Sequence, residues 1–457
     1  MYIAEKLARY ADSLRFSDLD AVTVLETKKR VIDALGCAIG SFREPPVVLS
    51  REAVSRLGPD GSSTLLGTGT RSSPDLATFV NGLMIRYFDF NDTYLSKEPA
   101  HPSDNLGPAL SVGESEGSSG REIVLALVLG YEIQCRLCDA ADLRHRGWDH
   151  VCYGLVSSAL LAGKLMGLSP KKMTQAVNIA LNGHIAMRQV RAGELTMWKG
   201  ASFSNAARNA VFAAAMARSG LEGPSPIFEG EMGFFNQVSG PFDLDPSSFG
   251  GRRGEGFKLR ETYIKFYPAE YHSQSAIWAA LELRRAVGDP SSIESVLIES
   301  HEAGYAILGK DPEKWEPKTK ETADHSLPYI VGMALLEGKV DNSTYSPRRF
   351  SRPSVLEFLR RITVREDGAL TALYPGNGMG NRITAKLKSG ESVTKEVIVP
   401  KGHPKNPMSD GEIEDKFRRL TSRHLPVSRA DRVLEKLWHL EKLGDVSELM
   451  DDLRVRG

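Results

Sequence analysis

Three stretches of the chain, Ile123 to Cys138, Val151 to Met166 and Ala206 to Ala217, carry apolar side chains on most sides of a helix rather than on one face. A helix of that kind has no side to show water, so it must be enclosed by other helices. Val22 to Ile39 adds a helical segment with apolar residues at mixed three and four spacing. Small residues at Ala206, Ala207 and Ala213 to Ala215 let such axes approach closely. Ser169-Pro170 ahead of Lys171 to Leu181 places an N-cap serine and a first-turn proline before one more helix. These segments require a large helical body, and a chain of 457 residues can supply it.

Beyond about residue 262 the pattern changes. His272 to Val287 is helical, but Ile293 to Ser300 and Arg361 to Arg365 alternate like half-buried strands. Arg382 to Lys388 and Ser392 to Val399 flank Ser389-Gly390, a two-residue hairpin signal. After Pro400 helix returns in Asp410 to Leu420, Ser428 to Leu443 and Val446 to Val455. The expected fold is mostly α with an inserted α+β domain. Residues 1–264 and 400–457 form the helical domain, and 265–399 a smaller α+β lid.

The charge balance, 58 Lys and Arg against 58 Asp and Glu, argues against nucleic acid as a partner, while leaving room for a small anion in one basic pocket. Met1 to Leu14 lacks the apolar run of a signal peptide, and no apolar stretch approaches the roughly twenty residues that cross a bilayer. No membrane partner is expected, and the cytoplasm is the expected compartment. The four cysteines, Cys37, Cys135, Cys138 and Cys152, are too few for a disulfide framework and lack the spacing of an iron–sulfur ligand set. Cys135-Gln-Arg-Cys138 has redox or metal spacing, yet lies inside a helix, where buried structural thiols are the commoner outcome. Gly376 to Gly380 precedes a strand rather than a helix, so it reads as a loop and not as a phosphate cradle.

Chemistry concentrates in a few places. Asp89, Asp92, Thr93 and His101 lie within 13 positions on a stretch that Pro99 and Pro102 keep non-helical, which suits general acid–base work but equally suits helix capping. His150 follows Gly147-Trp148-Asp149 at the start of an apolar helix, where imidazolium is disfavoured. Lys199, with Arg188 and Arg191 shortly before, needs an anionic partner, either a bound carboxylate or a structural Asp or Glu. Lys265 to His272, with Glu270, sits at the domain boundary, a preferred place for a ligand cleft, and Asp324-His325 opens a further helix carrying Tyr329.

Taken together and in order, Tyr87 to Ser103, the stretch ending at His150, Met197 to Gly200, Lys265 to His272, Glu321 to Tyr329 and Pro400 to Asp410 resemble the MmgE/PrpD family. The resemblance covers nearly the whole chain. It implies a helical domain plus lid, a homodimer, no metal and no cofactor. It also implies lyase chemistry on a small tricarboxylate, the family including 2-methylcitrate dehydratases, citrate dehydratase activity, cis-aconitate decarboxylases and an epimerase of small dicarboxylates. By motif it places active-site groups at Asp89, Thr93, His101, His150, Lys199, Lys265 and Tyr329; catalytic roles are expected of all of these but Thr93, and substrate contacts are expected at Thr93, Arg191, Glu270, His272 and His325.

Glu270 stands where decarboxylase members tend to carry His, which favours dehydration of 2-methylcitrate, with citrate as a second candidate substrate, by general acid–base catalysis in the methylcitrate cycle of propionate metabolism. His101 and Asp89 are the expected proton-transfer centre. Decarboxylation, isomerisation or epimerisation are the competing activities, and a silent carboxylate-binding scaffold is the non-enzymatic one.

Overall fold

The computed structural model describes residues 1–252 and 256–455. Its first half is a run of helices: α1 (Ile3–Ser13), α2 (Ala21–Gly40), α3 (Pro45–Leu57), α4 (Pro74–Arg86), α5 (Leu106–Ser115), α6 (Gly120–Ala140), α7 (Val151–Leu165), α8 (Pro170–Gly183) and α9 (Trp198–Arg218). A two-residue antiparallel pair, β1 (Ser63–Thr64) and β2 (Arg71–Ser72), lies between α3 and α4. Side chains set several helix starts. Asp20 accepts from Thr23 N at 2.7 Å, Ser119 and Glu122 form a reciprocal capping box, and Ser169 caps α8 ahead of Pro170.

The all-round apolar segments fall on α6, α7 and α9, and in α7 every residue from Val151 to Gly163 is buried. All four cysteines are free and buried. Burial drives the Cys135 and Cys138 thiols well above their ordinary pKa, which keeps them unreactive. Among the described residues no helix is long and apolar enough to cross a membrane.

After α10 (Gln274–Val287) comes β3 (Ile293–Ser300), then α11 (Glu302–Leu308), α12 (Lys320–Ala323), α13 (Leu327–Glu337), α14 (Pro347–Phe350) and α15 (Pro353–Leu359). β4 (Ile362–Glu366), α16 (Gly368–Leu373), β5 (Asn381–Leu387) and β6 (Ser392–Val397) follow. The four longer strands form one sheet in the order β4-β3-β5-β6. β3 pairs parallel with β4 and antiparallel with β5, so the sheet is mixed. Alternation marks a strand but carries no direction; the crossover α11 to α15 is what makes β3 and β4 parallel. α10 packs on β5 and β6, burying Ile383 and Ala385 of β5, while β6 is an edge with no fully buried residue.

The chain closes with α17 (Asp410–Thr421), α18 (Val427–Trp438) and α19 (Ser447–Asp452). The helix expected from Ser428 to Leu443 ends at Trp438, where His439 leaves helical geometry and a 3₁₀ turn, Leu440–Lys442, packs against α6. α17 and α18 fold back onto α2, and their apolar faces join those of α2 and α4 in one core. A second core is built around α6 to α9, and a third from Ala269 to Ala385. The molecule is mostly helical with a minor β part.

Candidate active site

α4 ends at Arg86, and the chain then runs irregularly to the 3₁₀ turn Pro102–Asn105. Asp89 sits here with φ 51°, a left-handed conformation that Asp tolerates better than most residues. Asp92 anchors the loop. Its Oδ1 accepts from Ser103 N at 2.9 Å and its Oδ2 from the Tyr131 hydroxyl at 2.8 Å. Thr93 exchanges backbone hydrogen bonds with Tyr263 at 2.9 and 2.7 Å. Those bonds bring Lys265, two residues on, beside Asp89.

The Asp89 carboxylate is the centre of a buried knot. Arg86 Nη1 lies 2.6 Å and Lys265 Nζ 2.7 Å from Oδ1, and Lys199 Nζ lies 2.9 Å from Oδ2. Lys265 also donates to the Asp89 carbonyl at 2.7 Å. Burial would raise the Asp89 pKa, but Arg86, Lys199 and Lys265 overcome it and hold the carboxyl well below its usual range. A carboxylate so held is a poor proton acceptor near neutrality. Burial lowers the Lys199 pKa despite Asp89.

His325 approaches the knot from the sheet-bearing half. Its Nδ1 is 2.6 Å from Asp324 Oδ1 and its Nε2 is 3.4 Å from Asp89 Oδ2. Lys320 holds the other oxygen of Asp324 at 2.7 Å. Burial, then Lys199, brings the His325 pKa down to about 4.

A second cluster adjoins the first through Arg86, whose Nη2 lies 2.8 Å from His101 Nε2. His101 Nδ1 is 2.8 Å from the Asp92 carbonyl, which can only accept, so the proton belongs on Nδ1 and Nε2 keeps its lone pair. The Thr93 hydroxyl is 2.9 Å from the same Nδ1. The His150 ring stands 5.9 Å from that of His101. Its Nδ1 is 2.8 Å from Asp149 Oδ1, and its buried Nε2 has no hydrogen-bond partner among the described residues. Arg191 Nε, at 3.2 Å, and the Ser202 hydroxyl, at 3.0 Å, fix the second oxygen of Asp149. Burial lowers both imidazole pKa values, with Arg86 adding to the effect at His101 and Asp149 opposing it at His150. Both rings are therefore neutral at pH 7; the Nε2 lone pair is engaged by Arg86 in His101, whereas in His150 it meets no hydrogen-bond partner among the described residues.

The structure thus brings Asp89, Thr93, His101, His150, Arg191, Lys199, Lys265 and His325 into one connected network. Glu270 and His272 form a neighbouring pair, Oε1 to Nδ1 2.7 Å, with His272 Nε2 3.2 Å from the Tyr374 hydroxyl. His272 and Lys265 both help hold the Glu270 carboxyl down, to about 2, against burial. Tyr329 is not brought to the network. It lies in the third core, where its hydroxyl donates to the Thr344 carbonyl at 2.5 Å. α13 is buried from Leu327 to Leu335, so Tyr329 is enclosed in that core while His325 lies before the helix begins. Asp89 departs from its expected role as a proton carrier, because three cations already claim its charge.

Sequence reasoning did not single out Arg86, Asp149, Lys320 and Asp324. The Asp-His dipeptide, occurring at 149–150 and again at 324–325 just before a helix, was the available signal for two of them. Asp89, Asp324 and His325 offer ligand atoms within 4.8 Å of one another, a metal-like grouping. A divalent cation there would meet Arg86, Lys199 and Lys265 at close range, so the donor set fits an anion better than a metal. An open cleft of about 1470 Å³ is lined by Tyr87, Phe88, Phe90, Phe266, Lys320 and Tyr345, among others, while Asp89, His101, His150, Lys199 and Lys265 are not part of its lining.

Two family models match the chain, the MmgE/PrpD N-terminal domain over residues 5–247 and the MmgE/PrpD C-terminal domain over residues 267–440. A 2-methylcitrate dehydratase of Cupriavidus necator is 30% identical, with 88% of this chain and 87% of that protein aligned. The 2-methylcitrate dehydratase of Escherichia coli is 29% identical over 89% and 87% of the two chains. A cis-aconitate decarboxylase of Homo sapiens is 26% identical over 98% and 93%.

Proposed function

Since the chain belongs to the MmgE/PrpD family and is a lyase, we propose that it eliminates water from 2-methylcitrate by general acid–base catalysis at His150 and His101, beside the cations gathered on Asp89. The observation that carries the reading is the unpaired Nε2 of neutral His150, held beside His101 at the edge of a knot of three cations. That arrangement pairs a free proton acceptor with a site for carboxylates.

Dehydration breaks one C–H and one C–O bond and leaves a C=C bond. His150 Nε2 accepts the carbon-bound proton, and Asp149 stabilises the imidazolium that forms, as an orienting carboxylate does. Arg86, Lys199 and Lys265 draw the substrate carboxylates in and stabilise the enolate-like charge that develops beside the leaving proton. The departing hydroxide takes a proton from Lys199, whose pKa burial depresses, and leaves as water. His101 Nε2, engaged by Arg86 at rest, is freed when a substrate carboxylate takes that guanidinium. Residues 265–399 act as a lid over the body formed by 1–264 and 400–457, carrying Glu270, His272 and His325 to the substrate. The separate core of that segment supports such a movement.

Incubation with 2-methylcitrate, citrate and cis-aconitate, followed by NMR of the products, tests the reading. A new double bond from 2-methylcitrate is the expected result, lost in His101→Ala although the variant keeps its circular dichroism spectrum. Carbon dioxide from cis-aconitate, with 2-methylcitrate untouched, would overturn it. Glu270, where decarboxylase members tend to carry His, supports the dehydratase arm.

A further inference from the structure

Lys416 on α17 is fully buried at a position far from the site in sequence. Its Nζ donates to the Phe90 carbonyl at 2.8 Å and to the Lys265 carbonyl at 2.7 Å, and lies 2.5 Å from Asp33 Oδ1 of α2. The ammonium also stands 3.6 Å from the centre of the Phe90 ring. Phe90 follows Asp89, so one cation grips the backbone of both segments whose side chains make the shortest ion pair to Lys265. Two further contacts act on the same strands. Arg30, one turn before Asp33, reaches Thr262 with Nε 2.5 Å from Oγ1 and Nη2 3.0 Å from the carbonyl. Ile264 N donates to the Gly402 carbonyl at 3.1 Å, where a Cβ on Gly402 would fall 1.8 Å from Ile264 O.

We infer that Lys416 is a positioning residue for the active site, fixing the loop of Asp89 and the extended segment of Lys265 relative to each other so that the cation knot and His101 hold their geometry. A buried cation needs compensation, and helix packing alone would be served as well by an apolar side chain. Three oxygens around one ammonium compensate it, and two of them belong to the site's own backbone. The third, from Asp33, supplies the counter-charge. Burial raises the Asp33 carboxyl to about 6, with Lys416 acting to lower it.

The test compares wild type with Lys416→Met, Asp33→Asn and the double variant Asp33→Asn/Lys416→Met, which leaves no unpaired buried charge and so should fold. The inference rests on the proposed function only for its kinetic arm. That arm reads kcat and KM for whichever tricarboxylate the wild type converts, at a temperature where circular dichroism shows each variant folded. The second arm, NMR titration of the His101 imidazole in the free protein, needs no substrate.

Expected for the double variant is a fall in kcat of about 10²-fold with KM little changed, since a displacement near 1 Å costs that much. The His101 titration should rise by about one unit as the loosened loop admits water, a tenfold change in proton affinity. Asp33→Asn should keep most of its kcat even where its melting temperature falls as far as that of Lys416→Met. Either readout remaining at the wild-type value in the folded double variant overturns the inference. So does a kcat loss that simply follows melting temperature across all three variants. Should the double variant fail to fold, Lys416→Arg decides by the same readouts, because a guanidinium fork cannot seat one nitrogen among the three oxygens. If the wild type converts no tricarboxylate, the proposed function fails and the titration alone decides for Lys416.

Discussion

Asp149-His150 and Asp324-His325 are the same dipeptide in the same kind of place, ahead of the buried helices α7 and α13. In both, the aspartate Oδ1 meets the imidazole Nδ1, at 2.8 and 2.6 Å, and a cation holds the other carboxylate oxygen, Arg191 in one and Lys320 in the other. They part at the far nitrogen. His150 Nε2 meets no hydrogen-bond partner among the described residues, whereas His325 Nε2 faces the Asp89 carboxylate at 3.4 Å. An aspartate behind a histidine therefore does not make a base; what the second nitrogen meets decides. His150 is free to accept a proton, and His325 is committed to the charge pattern of the knot.

The sharpest way to break that contrast is to remove each ring in turn. His150→Ala should lower kcat by about 10²–10⁴-fold with folding intact, the range for a positioned proton-transfer group. His325→Ala should act chiefly on KM. Equal kcat losses in steady-state assays of the two would erase the distinction.

The aspartates come next. Asp324→Asn leaves Lys320 and Lys199 short of a buried counter-charge and should cost about 3–5 kcal/mol in urea unfolding. Asp149→Asn should be felt in kcat instead, by about 10²-fold, since the amide no longer fixes the His150 tautomer. Crossed results, with Asp149→Asn unfolding and Asp324→Asn merely slow, would refute the assignment.

Acid stability probes the His325 side of the contrast more finely. A histidine whose folded pKa is depressed contributes stability that is fully present above its unfolded value of about 6.5 and declines as pH falls toward the folded value. His325 and His403, both near 4, and His301, near 3, all do this. Unfolding free energy should fall between pH 6.5 and 4, and His325→Gln should make that slope shallower by up to about 1.4 kcal/mol per pH unit, discounted for its partial exposure. An unchanged slope in urea melts would show that His325 titrates normally.

The smallest effect is on rate against pH. With burial depressing both His101 and His150, the acid limb of kcat/KM should lie below pH 6.5. A limb at or above that value would place the base elsewhere.

The helical body was legible because its signal is local and dense. α6, α7 and α9 are apolar all round, and the two strands of the Ser389-Gly390 hairpin alternate cleanly. Direction in the sheet was not legible, since alternation is blind to it. In the site, His101, His150, Lys199 and Lys265 stood out as ionisable groups in apolar or broken surroundings. Their assignments did not follow as readily. Asp89 looks like an acid–base group until its three cations are counted, and each comes from a different part of the chain. Tyr329 looks catalytic until its hydroxyl is found spent on Thr344. Residue type is local, whereas the number of partners is a property of the folded molecule.

The grip of Lys416 on Phe90 joins residues 326 apart in the chain. At ribosomal rates of about 5–20 residues per second, roughly 15–65 s separate the synthesis of the two. The loop that bears Asp89 thus leaves the ribosome long before the ammonium that holds it, and spends that interval without its clasp. On the inference drawn for Lys416, a chain lacking α17 would carry Asp89 and Lys265 without the clasp that joins their backbones.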